Sequence, residues 1–162
     1  FAEAFVKSQL ATDVRLPTSG KIFISVRQSD KSHAVEIARS LAELGFTLYA
    51  TRGTAVAITE AGINVIIINK VAEGRPHSVD MIKNGEISLI INTVKNQPSA
   101  IRDSYSIRRA ALQGKVTYYT TLAGARAACV GITNNRHELQ TYNLQKLHAQ
   151  LKLCATPLAT AN

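Results

Sequence analysis

Apolar residues along this chain fall into two alternating rhythms. Ile22, Phe23, Ile24 and Val26 form a short dense run, as a strand buried on both faces would. Ala34, Ile37, Ala38, Leu41 and Leu44 then recur at helical spacing, with Ser29 or Asp30 placed to cap the helix and Gly45 placed to end it. The alternation continues. Strands are predicted over 46–50, 64–68, 87–91 and 116–119. Helices are predicted over 53–61, closed by Gly62, and from Pro76, as a first-turn proline, to Asn84. Two more are predicted over 101–113 and 123–130, the second opened by Thr120 and Thr121.

The flanks read differently. Phe1, Phe5, Val6 and Leu10 share one face of a leading helix, and residues 12–20, with Pro17 and Gly20, read as a linker. After Asn134 and Asn135 a last amphipathic helix places Leu144, Leu147 and Leu151 on one face. Residues 155–162 are small and polar and read as a fraying tail.

Five strands alternating with helices predict an α/β fold. The expectation is a doubly wound three-layer sandwich with a five-stranded, mainly parallel sheet. In such folds ligands bind beyond the carboxyl ends of the strands. Those ends deliver Ser25, then Thr51 with the Gly53-Thr54 turn, then Asn69 and Lys70, then Asn92 and Thr93, then Thr120 and Thr121. Lys31 begins the first helix near the same rim. Hydroxyls and free N–H groups at a helix N-terminus donate to phosphate oxygens. Gly53 admits close backbone approach, Lys31 and Lys70 supply charge, and Asn92 can donate and accept toward a ribose or base. The competing reading is that each hydroxyl only caps its own helix.

Composition narrows the classes. Among 162 residues 46% are hydrophobic and 19% charged, and the net charge is +8. One soluble domain is expected, in the cytoplasm, with no membrane span and no secretory leader. The positive charge raises nucleic-acid binding, but the cations are scattered, Arg108-Arg109 are the only adjacent pair, and Trp is absent. A small anion or an acidic protein suits such a surface better. Cys129 and Cys154 have no metal-ligand spacing, so no metal site and reduced thiols are expected. The first residue is Phe1, which suggests a piece of a longer polypeptide.

The stretches "GKIFISVRQSDK", "GFTLYATRGTA", "INKVAEGRPHSVDMIKNGEISLIINT", "SIRRAAL" and "TYYTTLAGARAA" resemble the methylglyoxal-synthase-like domain. The similarity is greatest to the regulatory domain that ends the large chain of carbamoyl-phosphate synthases. The resemblance implies residues 1–18 as a helix and linker from the preceding part of a larger chain. It implies 19–133 as the regulatory domain and 134–162 as a terminal helix and tail. It further implies an allosteric module without cofactor or catalysis of its own, ATP and Mg or Mn belonging to the parent synthase. The effector would be uridine monophosphate as inhibitor, or inosine monophosphate. Partners would be the rest of the large chain and its glutamine-amidotransferase small subunit, with self-association of exposed apolar helices as a further expectation.

The family pattern assigns Lys31, Thr51, Gly53, Thr54 and Lys70 to the phosphate. It assigns Ser25, Val71, Asn92 and Thr93 to the ribose and base, and Thr120 to a second effector position. Arg52 would point to solvent. Three departures stand out. Val94 replaces a Thr, the loop 95–99 differs from the basic loop common in the family, which leaves base preference open, and Tyr119 replaces an acidic residue that would pair with ornithine. Ornithine activation is therefore expected to be weak or absent.

The rival reading is a methylglyoxal-synthase-type lyase acting on dihydroxyacetone phosphate. The family's enzymes carry a Gly-Gly-Asp stretch where this chain has Glu73-Gly74-Arg75-Pro76-His77. They also carry acidic and His-bearing residues where it has Asn92-Thr93-Val94-Lys95. His77 and Asp80 could mimic an acid–base pair, or merely decorate a helix end, while His33, His137 and His148 lack convergent partners. A purine-ring cyclohydrolase would need a Gly-Arg-Val-Lys-rich loop that is absent here.

Overall fold

The computed structural model describes residues 1–12, 14–94, 97–134, 143–146 and 148. Five strands form one sheet: β1 (Lys21–Ser25), β2 (Thr47–Thr51), β3 (Ile66–Ile68), β4 (Ile87–Asn92) and β5 (Thr117–Tyr119). Their order is β3-β2-β1-β4-β5 and every pairing is parallel. The helices are α1 (Ala2–Ala11), α2 (Lys31–Glu43), α3 (Arg52–Glu60), α4 (Ser78–Lys83), α5 (Pro98–Gln113) and α6 (Leu122–Asn134).

The sheet lies between two apolar layers. Ile22, Ile24, Leu48, Leu89 and Ile91 pack against α2, α3 and α6. Phe23, Ile68 and Ile90 pack against α4 and α5. Alternate residues of one strand thus enter opposite cores, which is why the central strands read as continuous apolar runs. In α2 the buried residues are Ala34, Ile37, Ala38 and Leu41, the face its spacing predicts. Gly45 follows at φ +86°, a left-handed turn that glycine enters without a Cβ penalty.

Several boundaries differ from expectation. The third strand starts at Ile66 rather than 64, because β3 is an edge strand whose register with β2 begins at Tyr49↔Ile66. Pro76 does not open α4. His77 is its N-cap, and the first-turn proline is Pro98 of α5. Helix α6 runs on to Asn134. The apolar face assigned to the leading helix is only partly used. Val6 is buried and Phe5 partly so, but Phe1 and Leu10 are exposed. Helix α1 packs along α6, and the approach is close at Gly131, where a Cβ would stand 3.0 Å from Leu16 and 3.1 Å from Val6. Leu144 is exposed, and Leu147 and Leu151 lie outside the described residues, as does Cys154.

Candidate functional site at the carboxyl edge of the sheet

Parallel register aligns the strand ends. Ser25 pairs with Asn92, and Thr51 lies across from Ile68. Period-two alternation puts Ser25, Thr51 and Asn92 on the side of Phe23, Ile68 and Ile90, toward α4 and α5, and Lys70 follows two residues after β3. Beyond these ends lies a cavity of about 270 Å³. The expected phosphate set, Lys31, Thr51, Gly53, Thr54 and Lys70, lines it. So do Ser25, Val71, Asn92 and Thr93. Thr120 is exposed and is not among the lining residues. Arg52 is exposed and does not line it either.

The hydroxyls form a connected chain. Ser25 Oγ lies 3.2 Å from Thr51 Oγ1, which donates to Thr54 Oγ1 at 3.5 Å. Thr54 Oγ1 also accepts from Val26 N at 3.2 Å. Thr51 is the N-cap of α3, yet its side chain makes no capping bond. The simple capping reading therefore fails at Thr51, and the first N–H groups of α3 remain available at the cavity. It holds at Thr121, whose Oγ1 accepts from Gly124 N at 3.2 Å. Lys31 reaches over the α3 terminus, with Nζ 3.6 Å from where a Gly53 Cβ would stand. Neither Lys31 nor Lys70 has an ion-pair partner among the described residues.

Asn92 and Thr93 are more constrained than their sequence suggests. Asn92 Nδ2 donates to Ser104 Oγ at 3.2 Å and to Tyr118 OH at 2.8 Å. Its carbonyl oxygen is the end left to meet a ligand, so it serves as an acceptor rather than as both. Thr93 Oγ1 accepts from Arg27 N at 3.1 Å and hydrogen-bonds Asp30. Burial alone would push the Asp30 carboxyl up. Hydrogen bonds from Thr93, Arg27 and Ser29 outweigh it and hold the group below its ordinary value.

Sequence reasoning missed the wall supplied by α4 and α5. Ser78, Asp103, Ser104 and Ile107 line the cavity there, and Arg27 and Gln28 border it from the turn before α2. Ser78 is 1% exposed, and its hydroxyl has no hydrogen-bond partner. Such a group costs about 1–3 kcal/mol when left unmade. The only hint in the sequence was a Ser at a helix start, which reads as a cap.

The His77–Asp80 pair has a local explanation. Asp80 N donates to His77 Nδ1 at 3.3 Å, and His77 N donates to Asp80 Oδ2 at 3.2 Å. This reciprocal arrangement caps α4. Both residues line a separate groove between α4 and α5. Glu73 accepts from Lys70 N at 3.0 Å. Tyr119 OH donates to Gln9 of α1 at 3.2 Å, and burial pushes its phenol up to about 12. Among the described residues no group of His, Cys, Asp and Glu has the arrangement of a metal site. No helix among them is long and apolar enough to cross a membrane.

The fold and cavity define a doubly wound α/β domain with a ligand-sized site at the carboxyl edge of its sheet. The profile of the MGS-like domain matches residues 33–120, and the chain belongs to that family. It is 56% identical over 151 residues to the carbamoyl phosphate synthase large chain of Ralstonia nicotianae, covering 93% of this chain and 14% of that protein. The large chain of Pseudomonas aeruginosa is 53% identical over 152 residues, with 94% and 14% covered. That of Neisseria meningitidis serogroup A is 48% identical, with the same coverage. The chain therefore spans about one seventh of these relatives' length. The solved structure of ForH shares the fold, with a TM-score of 0.53 at 16% identity, covering 85% of this chain and 91% of that one.

Proposed function

We propose that this chain is the allosteric module of a carbamoyl-phosphate synthase large chain and binds a nucleoside monophosphate at the sheet edge. The observation that carries the reading is the convergence on one cavity of Lys31 and Lys70, without ion-pair partners among the described residues, the Thr51–Thr54 hydroxyls and the N-terminus of α3. A dianionic phosphate satisfies all of these at once. The cavity continues toward Asn92, Asp103 and Ser104, where amide, carboxylate and hydroxyl groups suit a sugar or base. Uridine monophosphate is the proposed inhibitor, with inosine monophosphate competing for the same place.

The effector regulates only by binding two states of the synthase with different affinity; about 1–3 kcal/mol of coupling is typical. Residues 19–133 form the binding unit, 1–18 lead into it, and 134–162 end it. The remainder of the large chain and the amidotransferase subunit complete a cytoplasmic enzyme supplying carbamoyl phosphate for pyrimidine and arginine synthesis. ATP and its metal act in that remainder. Thr120 belongs to a second effector position that Tyr119 weakens toward ornithine.

Calorimetric titration of uridine and inosine monophosphates, beside a Lys31→Ala, Lys70→Ala double variant, tests this. Saturable binding lost in the variant supports it. Absence of binding, together with turnover of dihydroxyacetone phosphate, would replace it with the lyase reading.

A further inference from the structure

We infer that the groove between α4 and α5 is a second anion site, one that takes a small phosphate ester with His77 Nε2 as its inner donor. It lies apart from the sheet-edge cavity: among the described residues Val71 alone lines both. It therefore stands whether or not the nucleotide reading does. The groove encloses about 440 Å³, within the range of small-molecule sites. Arg75 before α4, Lys83 in its last turn and Arg109 of α5 line it, with Asp80 as the carboxylate among them. Asp80 is already engaged, accepting from His77 N at 3.2 Å and standing 3.7 Å from the Arg75 guanidinium. Lys83 and Arg109 have no ion-pair partner among the described residues.

The His77 ring is a second, independent sign of a ligand. The residue is 9% exposed. Its Nδ1 accepts from Asp80 N at 3.3 Å, which leaves the ring proton on Nε2. Nε2 bonds no described residue, yet it is not shut off from solvent. The open space that His77 lines is this groove. An N–H held there by the α4 cap is a fixed donor for an oxyanion, and guanidiniums on both walls add bidentate donors.

Recession of that donor selects a small ligand. A broad acidic protein surface would meet the exposed Arg75, Lys83 and Arg109 but not His77. A phosphate group is small enough to enter. Val79 and Ala110, buried apolar residues of the lining, suit the carbon skeleton of its ester.

The test uses the Lys31→Ala, Lys70→Ala variant, which weakens the sheet-edge cavity as a competing phosphate site. Inorganic phosphate and glycerol 3-phosphate are titrated at fixed pH and ionic strength, and NMR follows the His77 ring and the amides of α4 and α5. Saturable shifts are expected with both, the ester binding at least as tightly, with a dissociation constant of about 1 mM or below. His77→Asn keeps an N-cap acceptor and removes Nε2, and Arg109→Ala removes an exposed charge without breaking an ion pair. Each is expected to weaken binding about tenfold. If His77→Asn lowers the melting temperature, Arg109→Ala decides.

Shifts that never saturate, or that saturate indifferently to both substitutions, would leave only a solvated basic face and overturn the inference. Saturation by an oligo-glutamate peptide but by neither phosphate would make the groove a protein-docking surface and overturn it too. Binding of inorganic phosphate without the ester would overturn the ligand class.

Discussion

Asn92 Nδ2 donates to the Tyr118 phenol at 2.8 Å, linking the end of β4 to β5 beneath the cavity. The same nitrogen donates to Ser104, so the amide is held from two sides and its carbonyl oxygen is aimed by elimination. Tyr118→Phe removes one support from a buried amide. The expected result is a loss of about 1–2 kcal/mol in stability by denaturant unfolding. Nucleotide affinity should fall severalfold in calorimetry as the Asn92 oxygen loses its orientation.

Lys31 and Lys70 carry charge that nothing in the described protein neutralises. Removing them should hardly affect folding, within about 0.5 kcal/mol, since no ion pair is lost. Each Lys→Ala change should weaken nucleotide binding about tenfold or more, as expected for a charge-assisted hydrogen bond to phosphate. The salt dependence of binding should flatten in parallel. Titration at two ionic strengths checks both effects.

Thr54 is a different kind of residue. It is buried, and its oxygen accepts from Val26 N while receiving the Thr51 hydroxyl. Thr54→Val keeps the shape but orphans the Val26 N–H, while the Thr51 hydroxyl retains Ser25 Oγ at 3.2 Å. A destabilisation of about 1–3 kcal/mol is expected, with binding lost as well. Thr54→Ser keeps the oxygen and should recover most of the stability. Urea unfolding of the two variants separates the hydroxyl from the methyl.

The half of the cavity made by strand ends was legible in the sequence; the half made by helices was not. Ser25, Thr51 and Asn92 could be found because parallel register and period-two alternation carry local pattern into space. Ser78 and Ser104 could not, because their inward direction depends on how α4 and α5 pack on the sheet. Pro76 misled for a related reason. A proline marks a helix start only loosely, and here the His77–Asp80 capping box set the boundary. The edge strand was overextended because Asn64 and Val65 continue the pattern without a partner strand to pair with.

Gly131 fixes how closely the leading helix can approach. A Cβ there would meet Leu16 Cδ1 at 3.0 Å and Val6 Cγ2 at 3.1 Å. Both neighbours are buried, so they have little room to yield. Gly131→Ala is expected to cost about 1–3 kcal/mol through overpacking, partly offset by the better helix propensity of Ala. Hydrogen exchange should quicken in α1 before the sheet responds. Nucleotide affinity should be unchanged, because the contact lies on the face away from the cavity.

Asp30 makes the rim of the cavity sensitive to acid. Its carboxyl is held below the ordinary value of 3.8, because hydrogen bonds from Thr93, Arg27 and Ser29 outweigh the effect of burial. A depressed native pKa means the unfolded chain takes up the proton first. The stabilisation is therefore complete above about pH 4–5 and is lost as pH falls through the lower native value. Asp30→Asn should be less stable than wild type at neutral pH, and the gap should close at the acid end. Because Thr93 bonds both Asp30 and Arg27 N, the variant should also loosen the loop carrying Arg27 and weaken nucleotide binding severalfold at neutral pH. Thermal unfolding of both proteins from pH 7 to pH 2 checks the sign; a gap that widened toward low pH would contradict the assignment.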